Sequence, residues 1–220
     1  GARFMAALMS YFLQKSHQDI HILVATSGDT GGAVAQGFYN TPGIKVTILY
    51  PTGKVSDIQE KQLTTLGGNV TALEVDGTFD DCQSLVKQAF LDKELSSKYN
   101  LASANSINIS RLIPQSFYYF NAYAQLKKAG VDKPVVFCVP SGNFGNLSAG
   151  LIAQRMGLPV KMFVAATNIN NIVPNYLASG VYEPRPSQET ISNAMDVGNP
   201  SNFIRMQLLA GDAYEEVVKH

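Results

Sequence analysis

Two short stretches carry the residue types that hold small anions. SGNFGN, residues 141–146, follows the apolar run VVFCVP and precedes a helix-like segment. Its glycines let backbone N–H groups approach an anion with no Cβ in the way. A helix starting near Asn146 adds the positive end of its dipole. Asn143 and Asn146 bring side-chain amides that donate or accept. The combination suits a phosphate; the alternative is that Gly142 and Gly145 only make a tight turn. TSGDTGG, residues 26–32, follows the run IHILVA with the same logic. Thr26, Ser27 and Thr30 offer hydroxyls, and Gly28, Gly31 and Gly32 free the backbone for a carboxylate or a second phosphate. Asp29 repels an anion unless its side chain turns away. It is either part of a ligand site or a cap on a helix over 31–39. Arg111, in NSINISRL, opens a helical segment after a polar run. An arginine there can fork onto phosphate or sit in a surface ion pair.

Other chemistries have little to work with. Neither glycine turn matches G-x-x-x-x-G-K-[ST] or G-x-G-x-x-G. His17, His21 and His220 make no metal constellation, and no C-x-x-C occurs. No G-x-S-x-G elbow is present. The aromatic run FYYFNAY at 117–123 reads as helix core, and Lys54 and Lys61 as solvated flanking charges.

Both loops need strands and helices to aim them. Short runs rich in Val and Ile predict strands over 20–26, 45–50, 70–75, 135–139 and 160–165. Helical segments fall between them at 31–39, 56–66, 79–93, 111–129 and 146–156. Gly67-Gly68 and Gly157 with Pro159 supply stop signals. This alternation predicts an α/β fold with mostly parallel sheets and flanking helices. In such sheets ligands bind at the carboxyl ends of strands, where both glycine turns fall. A boundary is expected near residue 100, after KELSSKYN, giving a small α/β domain over 1–100 and part of a larger one over 101–220. Residues 179–202 read as a long ordered loop. The opening segment, GARFMAALMSYFLQK, reads as an amphipathic helix. Phe4, Ala7, Leu8, Tyr11 and Phe12 recur on one face, and no cleavage site follows.

Bulk composition narrows the function classes. With 220 residues, 45% of them hydrophobic, the chain can bury a sizeable core. Seventeen basic residues balance seventeen acidic ones, so there is no electrostatic footprint for nucleic acid or for a membrane surface. No run is long enough to span a membrane. The two cysteines, Cys82 and Cys138, favour a reduced, cytoplasmic protein, with Cys138 expected to be buried in VVFCV. The chain opens on Gly1 with no capping residue before its first helix and stops inside a helix-like segment, AYEEVVKH. It therefore reads as a piece of a longer protein.

Six stretches in order, ATSGDTGGAVAQGFYN, ILYPTGKVSDIQEKQLTTLGGNV, SANSINISRL, VPSGNFGNLSAG, FVAATNINNIVPNYL and SNAMDVGNPSNFIR, resemble the threonine synthase family of bacterial and fungal type. The resemblance covers nearly the whole chain. It implies a pyridoxal 5'-phosphate (PLP) enzyme of fold type II, the tryptophan-synthase-β-like fold, present here in part. The implied activity is that of a carbon–oxygen lyase of threonine biosynthesis, converting O-phospho-L-homoserine and water to L-threonine and phosphate. The cofactor phosphate is then expected on Gly142, Asn143, Phe144, Gly145 and Asn146. The substrate carboxylate is expected on Thr26, Ser27, Gly28, Asp29 and Thr30, and the substrate phosphate on Arg111 with Asn105, Ser106 and Asn108 nearby. A cleft between the two domains is expected to hold the cofactor. The Schiff-base lysine of the family is expected a few residues ahead of Gly1, and the partner of the pyridine nitrogen beyond His220. No catalytic residue and no metal ligand is then expected within the chain, which by itself should be inactive. Two other readings stand beside this one: a threonine-synthase-like PLP phospho-lyase, and a non-catalytic small-molecule-binding module.

Overall fold

The structure is a computed structural model and describes residues 1–26, 28–106 and 108–211. It contains two compact units, the first from Gly1 to Arg111 and the second from Leu112 onward.

The first unit alternates helix and strand: α1 (Ala2–Ser16), β1 (Ile20–Ala25), α2 (Asp29–Phe38), β2 (Ile44–Pro51), α3 (Asp57–Thr64), β3 (Val70–Val75), α4 (Phe79–Leu91), α5 (Lys93–Lys98) and β4 (Leu101–Ser103). The strands form one parallel sheet in the order β3-β2-β1-β4. Ile20 pairs with Ile44 and His21 with Leu101, so β1 is central. Alternate side chains serve opposite faces. Ile22, Val24, Val46 and Ile48 pack with Met5, Val34, Phe38 and Leu63 from α1, α2 and α3. Ala25 and Leu49 pack with Cys82 and Val86 of α4. A sheet covered on both faces explains the nearly continuous apolar strands.

Helix starts follow local chemistry. Ser56 and Gln59 form a reciprocal capping box on α3, as do Thr78 and Asp81 on α4. Asp92 caps α5, which turns the polar run KELSSK into a helix. Both α5 and the three-residue β4 lack the apolar periodicity that would announce them.

The face expected on α1 is corrected. Phe4, Tyr11 and Phe12 are exposed, while Ala2, Met5, Ala6, Ser10 and Leu13 are buried. Both sets sit at helical spacing, and the close approach of α1 to α2 selects the smaller one. A Cβ on Gly37 of α2 would lie 2.7 Å from Ala2 Cβ. The bulky aromatics cannot fit that approach.

The elements that follow are α6 (Ile109–Lys128), which opens just before the second unit, β5 (Val135–Pro140), α7 (Gly145–Arg155), β6 (Val160–Ala166), α8 (Ile172–Ser179), a 3₁₀ turn (Asn193–Met195) and α9 (Phe203–Ala210). Strands β5 and β6 pair in parallel. Tyr119 of α6 packs edge-on against Phe137 and Phe163. The aromatic run at 117–123 is thus core on one face only, with Phe117 and Tyr118 exposed. Cys138 is likewise corrected: Cys82 is buried and Cys138 exposed. Val135 and Val139 take the covered face of β5, so alternation turns Cys138 outward. The stretch 180–202 carries little regular structure, yet it is ordered by side chains. Asn168 Nδ2 donates to Thr190 Oγ1, Ser192 Oγ and Asp196 Oδ1, and Asn170 Nδ2 donates to the Gln188 carbonyl. Among the described residues no helix is long and apolar enough to cross a membrane.

Candidate functional site

In the first unit the chain returns past β1 to place β4 on its far side, so sheet order reverses between them. A crevice at the carboxyl ends of two such strands is the usual ligand position in a parallel sheet. The loops after β1 and after β4 meet there. Asn105 Nδ2 donates to the Ala25 carbonyl at 2.8 Å, tying one loop to the other.

Thr26 is buried, and its Oγ1 accepts the N–H groups of Gly28 and Gly31 at 2.9 and 2.8 Å. This hydroxyl shapes the loop from within. Gly28 is the N-cap of α2 at φ 136°, and a Cβ there would lie 2.5 Å from the Gln59 side chain. Asp29 is the first residue of α2, ahead of the start expected at residue 31, and no side chain caps that helix. The capping reading of Asp29 is therefore overturned. Its Oδ1 accepts from Gln59 Nε2 at 2.8 Å, while its charge still favours the helix N-terminus. Thr30 follows in the first turn. Ser27 and His220 lie outside the described residues.

Arg111 closes the second loop. Its Nη1 donates to the Ala104 carbonyl at 3.1 Å, and its buried Nε has no hydrogen-bond partner among the described residues. Burial pushes its pKa down, and no carboxylate offsets that among the described residues. A desolvated cation with an idle donor is suited to an anion. Asn108 supports the loop: its Nδ2 donates to the Ser103 carbonyl and its Oδ1 accepts the Ser110 N–H. Ser106 lies in the same turn.

In the second unit SGNFGN joins β5 to α7, as its position after an apolar run predicts. Phe144 is the N-cap at φ 59°, a left-handed conformation that a bulky side chain adopts at a cost. No side chain caps the eleven-residue helix. Gly142 meets the backbone of the 3₁₀ turn: a Cβ there would lie 2.6 Å from Met195 Cα. Asn146 Oδ1 and its carbonyl both accept from the Tyr119 hydroxyl. Burial raises the Tyr119 pKa to about 12, so it stays a donor at neutral pH.

Three consecutive residues back this loop, and the sequence reading assigned none of them a role. Asn143 Oδ1 accepts from the N–H and hydroxyl of Ser201 at 2.6 and 2.9 Å. The Phe203 ring packs edge-on against Phe144, centroids 6.2 Å apart, and holds its strained backbone. Asn202 lies beside Gly145: a Cβ there would stand 3.3 Å from Asn202 Nδ2. Their sequence signals were a polar pair between Pro200 and the apolar start of α9 and their place in the stretch SNAMDVGNPSNFIR. Gln59 was missed for the same reason, being one polar residue on a polar helix.

The residues fit a phosphate-bearing cofactor. An uncapped helix start, glycines at 142 and 145, and the buried Asn202 Nδ2, which has no hydrogen-bond partner among the described residues, together suit an anion.

Known proteins resemble this chain closely. Threonine synthase of Escherichia coli is 54% identical over 209 residues, which are 95% of this chain and 48% of that protein. Threonine synthase of Saccharomyces cerevisiae is 44% identical over 93% of this chain and 42% of its own length. The crystal structure of PLP-bound threonine synthase from Brucella melitensis has a TM-score of 0.88 at 42% identity, covering 98% of this chain and 47% of that one. The chain spans about half the length of the curated relatives it matches. The parallel-sheet α/β architecture expected for part of a type II PLP fold is the one these neighbours share. Residues 2–219 match the pyridoxal-phosphate dependent enzyme family, so the chain belongs to that family.

Proposed function

We propose that this chain is the part of a threonine synthase that cradles the cofactor phosphate and the phosphorylated substrate. In this reading the first unit is the small domain and the second belongs to the large, cofactor-holding one. The reaction is conversion of O-phospho-L-homoserine and water to L-threonine and phosphate. The observation that carries it is Arg111, desolvated and, among the described residues, without a carboxylate and with an idle Nε. A substrate phosphate supplies the missing charge and acceptor.

Gly142, Asn143, Phe144, Gly145 and Asn146 would hold PLP by its phosphate, through backbone N–H groups and the end of α7. The bound cofactor supplies an electron sink for the substrate carbons. Thr26, Ser27, Gly28, Asp29 and Thr30 form the loop for the substrate carboxylate. Thr26 keeps that loop in shape, and Gln59 holds the Asp29 carboxylate with a hydrogen bond. Arg111 binds and orients the phosphate ester, with Asn105, Ser106 and Asn108 bracing its loop. Two fixed anchors on one small substrate replace a loose encounter with a single pose. By the family resemblance the Schiff-base lysine is proposed to lie ahead of Gly1.

The test is product analysis with O-phospho-L-homoserine. The 220-residue chain alone is expected to form no threonine. A longer protein that includes it and the preceding lysine is expected to release threonine and phosphate in equal amounts. Phosphate without threonine would favour a phospho-lyase. Threonine from the 220-residue chain alone would overturn the lysine assignment.

A further inference from the structure

We infer that the side-chain amide of Asn202 is an additional donor to the phosphate held by the SGNFGN loop. The inference rests on the proposed PLP cradle and adds a residue to it from a distant part of the chain.

Asn202 is fully buried, at 0% exposure. Its Nδ2 has no hydrogen-bond partner among the described residues. A buried amide without an acceptor is costly, and folded proteins seldom keep one without a use. The orientation of the amide is set by its neighbour. Arg205 Nε donates to Asn202 Oδ1 at 3.1 Å, and a flipped amide would set donor against donor. The NH₂ group is therefore the end left over, and it lies beside Gly145, the first residue of α7.

A purely structural role accounts for less. Asn202 is the N-cap of α9, a position where asparagine ordinarily accepts a backbone N–H through its side chain. No such bond is made here, and the oxygen is given to Arg205 instead. Asn202 is anchored through its backbone, whose carbonyl accepts the Ser148 hydroxyl and the Arg205 N–H. The side chain is thus held still with its donor idle at an uncapped helix start. An anion there completes the coordination of both.

The test compares PLP with pyridoxal, which lacks the phosphate, by titration calorimetry on the wild-type chain and on Asn202→Asp. Aspartate has the same shape, keeps an oxygen for Arg205 and is as good an N-cap. It removes the donor and adds a negative charge. PLP affinity is expected to fall about tenfold or more, as for loss of a hydrogen bond to a charged group. Pyridoxal affinity is expected to stay within about twofold of wild type, since no phosphate contact is at stake. Equal losses for both ligands, or no loss for PLP, would overturn the role of Asn202 alone. Wild-type protein that binds PLP no better than pyridoxal would overturn the cradle itself. Should the variant fail to fold, a crystal structure of the wild-type chain with PLP decides. Nδ2 within hydrogen-bond distance of a phosphate oxygen is the expected result, and Nδ2 turned elsewhere refutes the inference.

Discussion

Gln59 Nε2 donates to Asp29 Oδ1 at 2.8 Å, while Gln59 Oε1 accepts the Ser56 N–H at 3.0 Å. One side chain therefore caps α3 and restrains the single acid in the TSGDTGG loop. Replacing Gln59 with Glu keeps the capping box, which tolerates either residue. It sets two carboxylates against each other beside the proposed substrate site. The pair is exposed, so the repulsion is worth about 1 kcal/mol, or roughly fivefold in affinity for O-phospho-L-homoserine. Unchanged affinity in a binding titration would mean that the orientation of Asp29 is irrelevant to the ligand.

Arg111→Met should separate binding from stability. The guanidinium is desolvated with no compensating carboxylate among the described residues, so removing its charge should leave the melting temperature unchanged or higher. Affinity for the phosphorylated substrate should fall roughly ten- to hundredfold, as expected for lost hydrogen bonds to a charged group. Arg111→Lys keeps the charge without the fork and should fall between. A sharply lower melting temperature in Arg111→Met would mark the residue as structural.

Gly142→Ala tests how tightly the SGNFGN loop is backed. Its Cβ would come within 2.6 Å of Met195 Cα and 3.0 Å of the Met195 carbonyl, so backbone must move. Overpacking of this kind costs about 1–3 kcal/mol. In a chain of this size that lowers the melting temperature by roughly 2–12 °C. Thermal unfolding with no shift would show that the 3₁₀ turn yields freely.

His21 gives a pH signature. Burial first, and the nearby Lys45 charge second, lower its pKa, and its Nε2 pairs with Thr47 Oγ1 at 2.8 Å. The folded state thus binds this proton less readily than the unfolded chain. The contribution is fully present above the ordinary histidine pKa of about 6.5 and is lost as pH falls below it toward the lowered value. The melting temperature should drop as pH goes from about 7.5 to 5.5, and His21→Gln should flatten that slope. An equal slope in both proteins would remove His21 as its source.

Much of the frame was legible beforehand because the signals were local. The strands at 70–75 and 160–165 and the helices near 56–66 and 79–93 follow from apolar runs, capping residues and glycine stops within a few positions of each other. The glycine turns were visible because only their composition had to be read. The face of α1 was misread since both its stripes obey the same period, and only the approach to Gly37 distinguishes them. Cys138 was placed inside for want of knowing which face of β5 is covered.

Most of the strands and helices, the two glycine-rich loops and the family resemblance were determined by the sequence itself, through patterns that are local along the chain. The use of each polar side chain was decided by tertiary structure. Asp29 is held by a glutamine 30 positions away, Asn143 by a serine 58 positions away, and the idle amide beside Gly145 comes from Asn202. Hydrogen bonds are short and directional, so a partner that arrives only by folding leaves no periodic trace along the chain.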